Sequence, residues 1–123
     1  MRSDPTGQRG SATAETAVVL PVLVLLLTCA LWALGAVSVQ LRCVEAARAG
    51  ARAAARGEPA DVIRSRVREV AGRTADVDLE MSATSATVAV TRVVSPPWPA
   101  LARLLQPLSV SAEARADVEG VPP

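Results

Sequence analysis

The chain has 123 residues, half of them apolar, with 13 arginines, no lysine or histidine, and 12 carboxylates for a formal charge of +1. That length allows one small domain beside any long apolar segment. The balanced charge excludes a nucleic-acid partner, and two cysteines without histidine exclude a zinc site. Without histidine or a glycine-rich phosphate loop, no catalytic residue, cofactor or small-molecule substrate is expected.

Residues 1–10, MRSDPTGQRG, are polar and contain Pro5, Gly7 and Gly10; they read as a disordered leader. A helix is predicted to begin between Ser11 and Thr16. Thr16 to Leu41 carries no charge, and Ala17 to Val39 is apolar apart from Thr28 and Ser38. Such a run makes a helix of about 35 Å, enough to cross a bilayer core of about 30 Å with some tilt. The transmembrane helix is placed at 11–41. Pro21 removes a backbone donor inside it and predicts a bend. Trp32 lies within the span and reads as a packing residue. Cys29 and Cys43 are about 21 Å apart on one helix, too far for an internal disulfide. Cys29 reads as a packing or lipid-facing residue, and Cys43 either packs or pairs with another chain.

Residues 42–57 continue the helix as an Ala/Arg-rich extension. Arg42, Arg48, Arg52 and Arg56 project onto one face, with Glu45 among them, while Ala46, Ala47, Gly50, Ala51 and Ala54 share the opposite side. Ala46, Gly50 and Ala54, at four-residue spacing, form a helix packing seam. Its partner is a neighbouring subunit on one reading; on another, the helix is simply solvated. The arginine stripe could instead touch anionic headgroups.

Gly57 and Pro59 end the extension. Residues 58–123 are predicted to form a small α+β domain. Asp61 can cap an amphipathic helix with Ile63, Val67, Val70 and Ala71 on its apolar arc. The period then changes from helical to alternating. Val77, Leu79 and Met81 alternate with Asp78 and Glu80, and Val88 and Val90 oppose Thr87 and Thr91. These runs, joined across SATS, read as a hairpin. Four prolines break up SPPWPALARLLQP, leaving a short turn with Trp98, Leu101, Leu104 and Leu105 as an apolar tip, tucked under the sheet or offered to a membrane or partner. LSVSAEARADVE alternates from Leu108 to Glu119 and supplies a third antiparallel strand.

Glu15 stands at the lip of the apolar run. Residue chemistry leaves two roles open: an acid in the first helical turn, wet and favoured by the helix dipole, or one half of an ion pair that offsets its burial. The stretch RGSATAETAVVLPVLVLLL resembles the start of TadE-like proteins, minor pilins or pseudopilins of tight-adherence (Tad, or Flp-type) type IV pilus systems. QLRCVEAARAGARAAARGE is similar to the segment after the anchor in actinobacterial members. The resemblance covers residues 9–58 well and the remainder loosely. It implies that a prepilin peptidase cuts between Gly10 and Ser11, making Glu15 the fifth residue of the mature chain. Thr16 stands where the family often has Phe or Tyr. The partners implied are membrane lipid, the peptidase, other pilins or pseudopilins, and Tad assembly proteins.

The function expected is therefore that of a structural subunit or assembly factor, not an enzyme. Its anchor would lie in the cytoplasmic membrane with the C-terminal domain outside, incorporated into a surface pilus or held at the assembly platform. The alternative is an unprocessed single-pass anchor presenting a small binding domain. A cleaved secretory signal fits less well, because the apolar core is too long. Arginine counting opposes the family's orientation: Arg2 and Arg9 precede the span, whereas Arg42, Arg48, Arg52 and Arg56 follow it. The resemblance implies the outside location, which is the one carried forward.

Overall fold

The computed structural model describes residues 6–118. In chain order these form α1 (Thr6–Ala55), α2 (Ala60–Ala71), β1 (Asp76–Met81), β2 (Ser85–Val94), the single turn α3 (Pro99–Ala102) and β3 (Leu108–Asp117). They divide into two compact bodies, one ending at Leu34 and the other starting at Gly35, and α1 contributes to both.

The first body is the helix up to Leu34. Its large aliphatic side chains, Val18 to Leu34, lie bare, whereas Trp32 is half-buried; Leu26 is 61% and Leu34 64% exposed. A helix satisfies its own backbone, which is the condition for crossing lipid. The hydroxyls in the run are also satisfied locally. Thr16 donates to the carbonyl of Ala12 at 2.9 Å and Thr28 to that of Val24 at 2.8 Å. Pro21 sits inside the helix, which continues through it. The start differs from the sequence reading: α1 begins at Thr6, so Thr6–Gly10 are helical rather than disordered. Residues 11–20 supply a formed helix to propagate from, and a helical glycine such as Gly7 or Gly10 costs only about 1 kcal/mol. Residues 1–5 of the predicted leader lie outside the described residues.

In the second body α1 runs on to Ala55 and stops in a Schellman turn. Gly57, at φ 74°, donates to Ala54 O at 2.9 Å, and the Glu58 amide donates to Ala53 O at 3.2 Å. α2 then folds back against α1. Its N-cap is Pro59, in extended conformation (φ −60°, ψ 147°), with no side-chain cap bond. Asp61 is therefore not the cap. It lies in the first turn, where its charge still suits the helix dipole. Ile63, Val67 and Ala71 are buried, but Val70, expected on the same arc, is exposed.

The three strands form an antiparallel meander in the order β1-β2-β3. One face meets the helices in rows: Val77–Val90–Ala112, Leu79–Val88–Ala114 and Met81–Ala86–Ala116. The hairpin closes on Ala83 and Thr84, with the Ser82 amide on Ser85 O at 2.8 Å. No non-glycine residue has positive φ among the described residues, so this is not one of the left-handed hairpin turns. The core is Cys43, Ala46, Ala47, Ala51, Ala53 and Ala54 of α1, with Ile63, Val67, Ala71, Ala75, Ala86, Val88 and Val90. Alanine on α1 lets the helix axis sit close to α2 and the sheet. Leu108 and Met81 have the inward phase but are exposed, because they lie in end rows of the sheet. The third strand stops at Asp117; Val118 follows it, and Glu119 lies outside the described residues.

Candidate functional site

The candidate residues of the N-terminal region, Gly10, Ser11 and Glu15, sit on one exposed stretch of α1. Gly10 is open: a Cβ there would meet nothing within 4 Å. Ser11 and Glu15 are one helical turn apart and, with Ala14, Val18 and Val19, line a shallow face of the helix. Side chains at that spacing are neighbours, about 5–6 Å between Cβ atoms. In the intact chain the nitrogen of Ser11 is a neutral amide. It becomes a cation only if the bond after Gly10 is cut.

The packing seam is filled inside the chain. Ala46 and Ala54 are fully buried. A Cβ added to Gly50 would lie 2.6 Å from Val67 Cγ2 and 3.1 Å from Val88 Cγ1. The small residues therefore receive the chain's own α2 and β2, and the face is not free for a neighbouring subunit. Cys43 is buried in the same core, which takes its sulfur out of reach of another chain. Cys29, half-buried in the apolar run, is also a free thiol.

One residue of the arrangement was not singled out from the sequence. Arg92 shares the inward phase of Val88 and Val90, and its Nη1 donates to Ala71 O at 2.7 Å. It thus supplies a cation to the C-terminus of α2, whose last carbonyls lack helical partners. Gly72 beside it has φ 109°, and a Cβ there would lie 2.9 Å from Arg92 Nη1. A second tie was also missed: Gln40 Nε2 donates to Ser111 O on edge strand β3 at 3.0 Å. The available signal for Arg92 was its strand phase; for Gln40 it was a lone amide at the end of an apolar run.

Arg42, Arg48 and Arg52 are exposed on α1, Arg56 just beyond its end, and Arg64, Arg66 and Arg68 on α2. Arg56 and Arg66 share Glu58 Oε1, at 2.7 and 3.5 Å. Asp76, Asp78, Glu80, Glu113 and Asp117 occupy the outward face of the sheet. Among the described residues no three His, Cys, Asp or Glu side chains are grouped to hold a metal ion.

An exposed apolar helix that leads into a small helix-on-sheet domain fits a single-pass membrane protein. Residues 10–52 match the family described as TadE-like protein. Over that segment the chain is similar to TadE-like proteins, a likeness that suggests a Tad pilus-associated protein. The match starts at Gly10 and ends in the arginine-bearing extension; α2 and the sheet lie beyond it. Neither the curated proteins nor the solved structures contain a match to this chain.

Proposed function

We propose that this chain is a minor pilin or pseudopilin of a Tad-type type IV pilus or related secretion machine. A prepilin peptidase removes the leader after Gly10. The mature chain then begins with a cationic amine on Ser11 and carries Glu15 as its fifth residue. The observation that carries this reading is the placement of Ser11 and Glu15 on one exposed face, at the head of a bare apolar helix. A lone carboxylate is costly at the lip of a bilayer, and a cation within a turn offsets that cost. In an assembly of staggered helices Glu15 meets the amine of its own chain or of a neighbouring pilin. Pro21 bends the helix one turn and a half further on, so that neighbouring spans can pack. The C-terminal domain lies outside the cytoplasmic membrane, presented by the helix.

The test is co-expression with a prepilin peptidase. The native chain shortens by its leader, and Gly10→Leu stays full length because the bulkier residue blocks the scissile position. Equal migration of the two chains in active cells would return the protein to the alternative, an unprocessed anchor.

A further inference from the structure

We propose that the loop between β2 and β3, with Trp98, Leu104 and Leu108, rests in the interfacial layer of the membrane that α1 enters. This rests on reading α1 as a membrane span. The loop is apolar yet uncovered: Trp98 and Leu108 are each 45% exposed and Leu104 86%. It is also held in shape. Pro96, Pro97 and Pro99 restrict the backbone, and the amides of Leu104 and Leu105 both donate to Leu101 O, at 3.0 and 2.7 Å. An exposed leucine on a pinned turn calls for an apolar occupant.

The second body alone gives the direction in which this tip points. Gln40 is tied to Ser111, whereas Gly50 packs on Val88, the partner of Ala114. Moving from residue 50 to residue 40 along α1 therefore moves from Ala114 towards Leu108 along β3. β1 starts opposite Thr91, so β2 and β3 continue past it as a two-stranded ribbon to Val94 and Leu108. From Ser111 to Leu108 is about 10 Å of strand. Leu108 therefore lies beyond the level of Gln40, towards the Gly35 end of the helix. The tip thus lies towards the Gly35 end of this body and away from its Ala55 end.

Lipid reaches that level. The uncharged run ends only at Leu41, and Val37 and Leu41 are bare while Ala36 is covered. Tryptophan and arginine are the side chains that settle at the boundary between headgroups and acyl chains, and Arg103 stands exposed beside Leu104. The occupant is lipid, on the continuation of a surface that is itself lipid-facing.

The test uses the full chain in vesicles of phosphatidylethanolamine and phosphatidylglycerol, with Trp32→Phe to leave Trp98 as the sole tryptophan. Vesicle flotation first reports insertion. Trp98 emission is then expected to lie at shorter wavelength than in water, to be quenched by lipid carrying a nitroxide close to the headgroup, and to resist acrylamide in the aqueous phase. Quenching by acrylamide without quenching by the lipid nitroxide overturns the proposal, because the tip is then in water. Protection from both quenchers also overturns it, because protein then covers the tip. A chain that fails to float with vesicles overturns the membrane reading as well. Should Trp32→Phe fold poorly, the difference in quenching between the unaltered chain and Trp98→Phe gives the same readings.

Discussion

Gly50 of α1 faces Val67 of α2 so closely that a methyl group on Gly50 would sit 2.6 Å from Val67 Cγ2. A second valine, Val88 on the central strand, stands 3.1 Å from the same point. Both are β-branched and stiff about χ1, so neither yields by simple rotation. Gly50→Ala would gain about 1 kcal/mol of helix propensity but lose about 1–3 kcal/mol to overpacking. A net loss is expected, read as a thermal midpoint several degrees lower for the full chain in detergent micelles. Gly50→Leu should prevent the second body from packing. An unchanged midpoint for Gly50→Leu would show that α1 does not approach α2 and β2 this closely.

Arg92 and Gly72 form a coupled pair at the end of α2. Arg92→Ala removes a charged donor from the Ala71 carbonyl and should cost about 1.5–3 kcal/mol. Gly72→Ala meets both a positive φ and the guanidinium. In the Arg92→Ala background only the backbone part of that second cost remains. The two substitutions are therefore expected to be less than additive in chemical denaturation of the full chain; strict additivity would mean that the side chains do not meet.

Cys43 should behave as an inert core thiol. In a Cys29→Ala chain in mild detergent, maleimide labelling should be slow until denaturant is added, because the sulfur is buried among alanines and valines. Rapid labelling, or disulfide-linked dimers under non-reducing conditions, would instead restore the intermolecular pairing that the sequence left open.

Glu15→Ala should leave membrane insertion intact, since it removes a charge from an apolar helix. Assembly with partner pilins should suffer. Leaving one partner of a buried ion pair alone costs about 3–5 kcal/mol, so recovery in pull-downs should fall by more than about tenfold. Glu15→Gln should be nearly as defective as Glu15→Ala, because the charge rather than the shape is at issue. Normal recovery of both variants would leave Glu15 as a wet residue of the first helical turn.

Much of this fold was legible because period and punctuation agree. The change from helical to alternating pattern falls between Ala71 and Asp76, and Gly57 with Pro59 marks the turn between helices. Other features depend on what the chain packs against. Leu108 keeps the inward phase of Val110 and Ala112, yet it is bare because the ribbon outruns β1. Arg92 carries a charge that suggests the surface, but its phase turns it inward, where a helix C-terminus accepts it. The small-residue seam was visible as Ala46, Gly50 and Ala54; its partner was not, since small residues admit a neighbour without specifying which. Asp61 looked like a cap because its residue type favours that position, but Pro59 already holds the extended conformation the cap requires. At the N-terminus, spacing alone left Glu15 with two roles. The family resemblance gave Gly10 and Ser11 their meaning, and the family match begins at Gly10.

The most direct measurement is the intact mass and N-terminal residue of the chain purified from membranes of cells with and without an active prepilin peptidase. The expected result is a chain beginning at Ser11 when the enzyme is present and a longer one when it is absent. A chain that keeps residues ahead of Ser11 in the presence of the active enzyme would contradict the pilin reading and leave a simple membrane tether.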